Sequence, residues 1–162
     1  MNKGAHGKAA ASPLMLVCSN GRAMHRYHIL DRLECGLVLL GSEVKSLRAR
    51  QANLEGAFAT VDAGELYLNG MYIAPYSQAT HFGHEPKRKR KLLARRAEIE
   101  RLMGKLAIRG YTLVPLRVYF KRGRAKVELG LGKGKRVGDK RQSIRRELDR
   151  REARDAVQRA RK

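Results

Sequence analysis

Short apolar runs separated by turn residues dominate the first two thirds of the chain. Residues 37–40 and 57–61 are apolar stretches of strand length. The turn residues at 62–65 lead from the second of these into residues 66–73, which suit the returning strand of a hairpin. The pattern therefore predicts antiparallel strands joined by tight turns.

A second predicted hairpin lies further along the chain. The apolar run Tyr111–Lys121 turns at Arg122 and Gly123 into residues 124–131, where apolar and charged residues alternate. Pro115 interrupts the first of these strands. Because proline has no backbone donor for a strand ladder, we expect Pro115 at a bulge or an edge.

Two segments have the spacing of helices. Residues 42–50 form the first, with Ser42 as the expected N-cap. Residues 86–108 form the second, and Gly110 is the expected stop. Its expected buried side consists of Leu92, Leu93, Ile99, Leu102, Met103 and Leu106. The chain is thus predicted to be mainly β, a small antiparallel barrel with flanking α-helices.

Composition divides the 162 residues into three parts. Residues 1–19 are expected to be a flexible N-terminal segment, and residues 20–132 to be the folded domain. Residues 133–162 contain 13 basic and 5 acidic residues, a net charge of +8, with few large apolar side chains. Too little apolar surface is present to offset the entropy of ordering, so we expect a tail that is disordered when free.

The formal net charge of +21 changes the picture most. Such a chain needs an anionic partner, and nucleic acid is a commoner one than a membrane surface. No run approaches the ~20 apolar residues of a membrane-spanning helix, and no membrane partner is expected. With two cysteines and no cleavable signal, the sequence indicates a cytoplasmic protein without a disulfide framework.

Three basic clusters are candidates for contact with phosphates. The first opens the predicted long helix at residues 87–91 and continues with Arg95 and Arg96. Cations at a helix N-terminus are unfavourable for the helix itself, which favours a phosphate partner over a solvated basic face. The other two clusters are residues 121–126 on the second hairpin and residues 133–136. Just before the first cluster, His81, Phe82 and His84 are candidates for stacking on RNA bases.

Catalysis is not predicted. The 10 carboxylates outside the tail are scattered singly, whereas metal-dependent nucleases need clusters of them. The residues Cys18, His25, His28 and Cys35 are zinc ligands by type, but their spacing matches no structural zinc site, and no metal or cofactor is expected. The glycine-rich residues 130–135 resemble a phosphate cradle without the spacing of a nucleotide-hydrolysing loop.

Specific motifs resemble one known family. They include G-x-E-V-K-S-x-R-A at residues 41–49, G-Y-T-L-V-P-L at residues 110–116 and K-G-K-x-x-x-D-K-R at residues 133–141. In this order they resemble the bacterial SsrA-binding protein (small protein B) family over residues 20–141. The resemblance implies an OB-fold-like barrel. It also implies a non-catalytic adaptor that binds the tRNA-like domain of transfer-messenger RNA (tmRNA, SsrA RNA) and delivers it to stalled ribosomes for trans-translation.

The same resemblance implies which residues act. Glu34 matches a glutamate needed for RNA binding, and Leu93 and Arg95 match a second RNA-binding stretch, although Arg95 replaces the usual Asn or His. The expected RNA-binding residues are His25, Tyr27, Glu34, Lys45, Arg48, His84, Lys87, Arg88, Lys89, Arg90, Lys91, Leu93 and Arg95. In the small-subunit decoding centre and message channel, where the tail becomes helical, the expected residues are Lys133, Lys135, Arg136, Asp139, Lys140, Arg141, Arg145 and Arg146.

Two further expectations complete the interpretation. Gly138 stands where the family usually has an aromatic residue or His, so the stacking contact of that side chain is absent or replaced. The chain is expected to be a monomer. The alternative function is a structural RNA-binding protein of the ribosomal-protein type, which would also have a basic tail.

Overall fold

The computed structural model describes residues 14–76 and 83–160, which form nine strands in two antiparallel sheets and four helices. The strands are β1 (Met15–Ser19), β2 (Tyr27–Leu37), β3 (Ala52–Asn53), β4 (Phe58–Asp62), β5 (Glu65–Asn69), β6 (Tyr72–Ile73), β7 (Arg90–Leu93), β8 (Tyr111–Lys121) and β9 (Arg124–Gly134). The helices are α1 (Gly21–Arg26), α2 (Gly41–Arg48), α3 (Arg96–Leu106) and α4 (Val137–Ala160). The expectation of a mainly β, antiparallel fold with helices is confirmed.

The large sheet has the strand order β1-β8-β4-β5-β7-β2-β9, and β9 also pairs with β8. The pairings therefore run from β8 through β4, β5, β7, β2 and β9 and return to β8. Strands β3 and β6 form a separate two-stranded sheet. Alternate positions face the core because side chains along a strand alternate between its two faces. Fully buried examples are Leu66, Leu68, Leu92, Val118 and Val127.

Both predicted hairpins are present. Strands β4 and β5 pair from Phe58 with Asn69 to Asp62 with Glu65, and their turn residues Ala63 and Gly64 both have positive φ. Two positive φ angles match the twist of a tight hairpin, which explains a glycine at the second position. The β8–β9 turn repeats this geometry at Arg122 and Gly123. The register shifts between Pro115 and Arg117, so the expected irregularity at Pro115 is confirmed.

The predicted long helix is wrong over its first ten residues, 86–95. Arg90–Leu93 is strand β7, in which Arg90 and Leu92 are buried and Lys91 and Leu93 exposed, and the helix begins only at Arg96. The short apolar pair Leu92 and Leu93 does not by itself distinguish a helix from a strand. Pairing with the neighbouring strands β2 and β5 makes this segment a strand. Among the residues expected on the buried side, Leu93 and Met103 are exposed.

The predictions around α2 also need correction. Strand β2 ends at Leu37, so residues 38–40 are not a buried strand but the approach to the helix. Ser42 is not the N-cap, because the helix begins after Leu40, whose backbone N–H donates to the carboxylate of Glu43 at 2.7 Å. A carboxylate three residues inside the helix thus replaces the expected serine cap.

The boundaries of the folded body differ from those expected. Met15–Ser19, within the segment expected to be flexible, pairs with β8, and β9 continues two residues beyond Gly132. Residues 137–160 of the expected tail form the helix α4. The apolar residues Ile144, Leu148 and Val157 of α4 are each more than half exposed, so the helix buries little apolar surface. Its disorder in the free protein stays a prediction.

The glycines of β9 have a packing role. A Cβ at Gly132 would lie 3.0 Å from the Cβ of Tyr27, and one at Gly130 would lie 3.1 Å from Ile29 and Leu116. Only glycine allows these side chains on the neighbouring strands to approach so closely. The interpretation of residues 130–135 as a phosphate cradle is therefore wrong for Gly130 and Gly132, which are buried strand positions.

Candidate nucleic-acid interface

A buried ion cluster holds the first basic segment in place. The carboxylate of Glu43 is fully buried and accepts hydrogen bonds from Arg88 at 2.6 and 2.9 Å and from Arg90 at 2.8 Å. Arg90 is also fully buried and donates to the carbonyls of Met71 and Pro86. Burial opposes ionisation of Glu43, but the hydrogen bonds from Arg88 and Leu40 and the charge of Arg90 hold its pKa below the usual value.

His84 belongs to the same internal network. Only 6% of its surface is exposed, and its Nε2 lies 3.2 Å from the carbonyl oxygen of Ile73. Because a carbonyl can only accept, Nε2 carries the proton, and Nδ1 accepts from the Ser42 hydroxyl at 2.9 Å. His84 thus ties this loop to α2 and has no exposed ring face for stacking. The stacking candidates His81 and Phe82 lie outside the described residues.

The remaining members of the segment point outward. Lys89 donates to Asp62 at 2.9 Å, and Lys91 donates to Glu65, so each of these exposed ammonium groups already has a counter-charge. Within the described residues, no ion pair joins the side chains of Lys87 or Arg95 to a carboxylate. Leu93 is 55% exposed beside them. Of the seven candidate residues 87–91, 93 and 95, the structure leaves Lys87, Leu93 and Arg95 open to a partner.

Glu34 lies on the outer face of the large sheet, opposite Glu128 of β9. Its carboxylate accepts from the Tyr119 hydroxyl at 2.5 Å and from Lys121 at 3.0 Å, and Lys126 lies 3.9 Å away. The hydrogen bonds from Tyr119 and Lys121 keep the pKa of Glu34 below its usual value. Burial and the hydrogen bond to Glu34 raise the pKa of Tyr119, which therefore stays protonated and donates.

The α2 candidates are exposed and lie over aromatic rings. The Lys45 ammonium is 5.1 Å from the centre of the Tyr76 ring, and the Arg48 guanidinium is 5.9 Å from that of Phe120. Such contacts fix a cation without neutralising it. Both side chains can therefore still contact phosphate.

Side chains in and just after α1 contact the first half of α4. Nε2 of His25 lies 3.2 Å from Glu147, and Nε2 of His28 lies 3.4 Å from Asp139. Lys135 donates to the carbonyl of Met24 from its side chain and to that of Arg26 from its backbone. Tyr27 packs against Gly132. Accordingly, His25 and Asp139 contribute to intramolecular contacts in this structure.

The exposed side of α4 carries cations without counter-charges. Among the described residues, no ion pair joins Arg141, Arg145 or Arg146 to a carboxylate, and Arg136 is likewise exposed. Lys133 lies 5.8 Å from the centre of the Tyr111 ring. The side chain of Lys140 is outside the described part of the structure. The expected ribosome-contacting residues therefore lie together along the end of β9 and the start of α4.

The structure bears on two further expectations. In the described ranges, no group of three or more His, Cys, Asp or Glu residues is arranged to hold a metal ion. Burial raises the pKa of Cys18 to about 11 and that of Cys35 to about 12, so both thiols are protonated at neutral pH. Within the same ranges, no helix has the length and apolar character needed to cross a membrane.

Sequence reasoning missed the parts of this surface that depend on distant partners. Glu43 organises the 83–90 segment, and Tyr119 fixes Glu34, yet 45 or more residues separate each from its partner. One signal was present for Glu43: it is the single carboxylate of α2 and lies at helical spacing from Leu47, in a chain rich in arginine. No comparable local signal marks Tyr119.

A closed set of antiparallel strand pairings, exposed cations without counter-charges and a long basic helix are typical of RNA-binding proteins. The family model described as SmpB protein matches residues 17–159. The SsrA-binding protein of Desulforudis audaxviator is 55% identical over 148 residues, covering 91% of this chain and 97% of that protein. The SsrA-binding protein of Anaeromyxobacter dehalogenans is 54% identical over 151 residues, covering 90% and 93%. This chain belongs to the SmpB family.

A solved structure supports the same assignment. It is described as "tmRNA-SmpB: a journey to the center of the bacterial ribosome", is 49% identical in sequence and superimposes with a TM-score of 0.64. The match covers 81% of this chain and 96% of that one. The resemblance expected from the motifs is therefore confirmed.

Proposed function

We propose that this chain is an RNA-binding adaptor that binds the tRNA-like domain of tmRNA and delivers it to stalled ribosomes for trans-translation. The observation that carries the proposal is the family match over residues 17–159, which includes both the strand-built body and α4. The name SsrA-binding protein, borne by relatives that are half identical to it, specifies the RNA. The net charge of +21 supplies the electrostatic attraction that such a partner needs.

The two parts of the chain have different tasks in this proposal. The body is an OB-fold-like barrel, supported by the pairings that return from β9 to β8, and it binds the RNA. The tail is disordered when free and helical in the message channel, where ribosomal RNA supplies the counter-charge for Arg141, Arg145 and Arg146. The protein works as a monomer in the cytoplasm.

The RNA-contact surface is proposed to include the exposed candidates. They are Lys45, Arg48, Lys87, Lys89, Lys91, Leu93 and Arg95. His84, Arg88 and Arg90 support this surface from inside through Glu43 and Ile73. The backbone of RNA is polyanionic, so lysine and arginine contribute affinity, whereas Leu93 contributes a contact with a base or sugar.

Sequencing the RNA that co-purifies with the protein tests the proposal. We expect one RNA, tmRNA, to be enriched over transfer RNAs and ribosomal RNA after a wash at high salt. Retention of the protein on assembled ribosomal subunits at high salt, without enrichment of tmRNA, would instead support the ribosomal-protein-like alternative. We also propose that the chain has no catalytic activity, so adding magnesium to the purified complex should leave the bound RNA intact.

A further inference from the structure

The end of the β8–β9 hairpin carries a concentrated group of cations. Lys121 and Arg124 lie directly opposite each other in the strand register, and Arg122 occupies the turn between them. Lys126 lies two residues beyond Arg124 on β9. We call these four residues the hairpin cluster. Like charges directly opposite on paired strands are destabilising, and the segment 121–126 contains no acidic residue. A bound anion would relieve this repulsion.

One carboxylate faces the hairpin cluster from the neighbouring strand β2. Glu34 accepts from Lys121 through both oxygens, at 3.0 and 3.2 Å, and lies 3.9 Å from Lys126. In the described part of the chain, no ion pair joins Arg122 or Arg124 to a carboxylate. The cluster is therefore undercompensated, with one acidic side chain for four cations.

Tyr119 connects Glu34 to the buried part of the sheet. Only 5% of Tyr119 is exposed, and it lies two residues before the end of β8, paired with Leu16 of β1 and Lys126 of β9. Its hydroxyl donates to Glu34 at 2.5 Å. A hydrogen-bonded chain thus leads from a buried ring, through Glu34, to the half-exposed ammonium of Lys121. Such a chain restricts the conformations of a lysine that would otherwise be mobile.

The hairpin cluster adjoins the surface proposed to contact RNA. A cleft of about 350 Å³ is lined by Leu39, Leu93, Phe120, Arg124 and Lys126. Arg48 lies over the ring of Phe120. The cluster therefore extends the surface of Arg48 and Leu93 rather than forming an isolated patch.

We propose that the hairpin cluster binds backbone phosphates of the RNA and that Glu34 is a positioning residue, which holds Lys121 in place through Tyr119 without touching the RNA. Both oxygens of Glu34 are already engaged, and a carboxylate placed against phosphates would repel them. The inference rests on the proposed function only for the identity of the RNA.

Binding to two transcripts, the tRNA-like domain of tmRNA and an unrelated transfer RNA of similar size, tests the hairpin cluster. Lys121→Gln with Arg124→Gln should raise the Kd at least tenfold at low salt and reduce the slope of log K against log salt by about one to two units. The matched control removes two cations from α3, Arg101→Gln with Lys105→Gln, both paired with Asp31. An unchanged slope in the hairpin variant, or an equal drop in the control, would overturn the proposal.

The two transcripts also separate this inference from the proposed function. Should the wild-type chain bind both equally while the hairpin variant loses affinity for both, the assignment to tmRNA is wrong and the phosphate-binding hairpin stands. Should the wild type prefer the tmRNA transcript and the hairpin variant bind it normally, the inference is wrong and the proposed function stands.

A double-mutant cycle tests the positioning role. Tyr119→Phe changes no charge, yet it should raise the Kd about threefold to tenfold and have no effect when Lys121→Gln is already present. Glu34→Ala should also weaken binding, although loss of a negative charge by itself favours RNA. The control Glu55→Gln, at an exposed carboxylate, should bind as tightly as the wild type or more tightly.

Direct contact between Glu34 and RNA gives a different pattern. In that case Glu34→Ala weakens binding equally with and without Lys121→Gln, and Tyr119→Phe binds normally, which would overturn the positioning role. Thermal unfolding of each variant verifies the fold. If Tyr119→Phe is unstable, Glu34→Gln, which can still accept from the Tyr119 hydroxyl, replaces it in the same cycle with Lys121→Gln.

Discussion

The segment at residues 87–91 and the helix α4 are both strongly basic, but their cations are satisfied in different ways. In the segment, Arg88, Lys89, Arg90 and Lys91 all pair with carboxylates of the body. In α4, the described part of the structure shows no such partner for Arg141, Arg145 or Arg146. A run of basic residues in a sequence therefore has two distinct meanings: it is either an internal counter-charge or a surface that awaits an external anion.

The largest effect is expected in α4, where Lys140→Ala with Arg141→Ala removes two cations from the tail motif. Alanine transfer to a stalled nascent chain should be lost, because the message channel supplies anions that these cations match. The Kd for tmRNA should change less than threefold, since the body is the part proposed to bind the RNA. Transfer assays and binding isotherms measure the two effects.

Scrambling residues 139–162 at constant composition is the companion experiment. It keeps the net charge and should also abolish transfer while leaving RNA binding intact. Transfer by the scrambled chain, or by the double variant, would show that the tail is a non-specific basic arm.

The next largest effect is expected at Glu43, the shared partner of Arg88 and Arg90. Glu43→Ala leaves a fully buried guanidinium unpaired, which should reduce the free energy of unfolding by about 3–5 kcal/mol. Denaturant unfolding measures this loss. Lys89→Ala breaks an exposed pair with Asp62 and should cost less than about 1 kcal/mol. Equal losses of unfolding free energy in the two variants would contradict the distinction between buried and exposed ion pairs.

A smaller expected effect is the loss of stability at acid pH when Glu43 is protonated. The folded state lowers the pKa of Glu43 below its unfolded value near 4.5, so the stabilisation is present above that pH and is lost as the pH falls through the folded pKa. Unfolding free energies measured from pH 6 down to pH 2 should decline in this window. Glu43→Gln should decline less steeply, and an unchanged pH profile in this variant would contradict the assigned charge.

The smallest effect separates paired from unpaired cations on the body itself. Lys87→Ala with Arg95→Ala should reduce the salt-dependence slope of RNA binding by about one to two units. Lys89→Ala with Lys91→Ala should reduce it less, because Asp62 and Glu65 already compensate these two charges. Salt titrations of both double variants decide the point. A larger drop for the paired lysines would show that they exchange their carboxylates for phosphates on binding.

The sequence predicted those features that depend on neighbouring residues. The hairpin turns at Gly64 and Gly123 and the irregularity at Pro115 follow from local chemistry. The prediction failed at β7, where two adjacent leucines are compatible with a helix or a strand. Pairing with the distant strands β2 and β5 makes the segment a strand. The family motifs predicted roles for Glu34 and Leu93, which stay predictions, whereas the burial of Arg90 depends on Glu43, 47 residues away. Long-range pairing, rather than composition, separates the cations of the body into internal and exposed ones.

The attachment of α4 gives it a defined direction. Two residues, Lys135 and Arg136, separate it from β9, and the backbone N–H of Lys135 donates to Arg26 at 2.9 Å. The 24 residues of the helix span about 36 Å, so wherever it is helical it acts as a lever whose axis is set by the sheet. Each residue inserted at this junction would rotate the arginine face by about 100° and advance it by about 1.5 Å. The junction therefore sets the rotation of α4 between the body, which is proposed to bind the RNA, and the arginines that are proposed to reach into the ribosome.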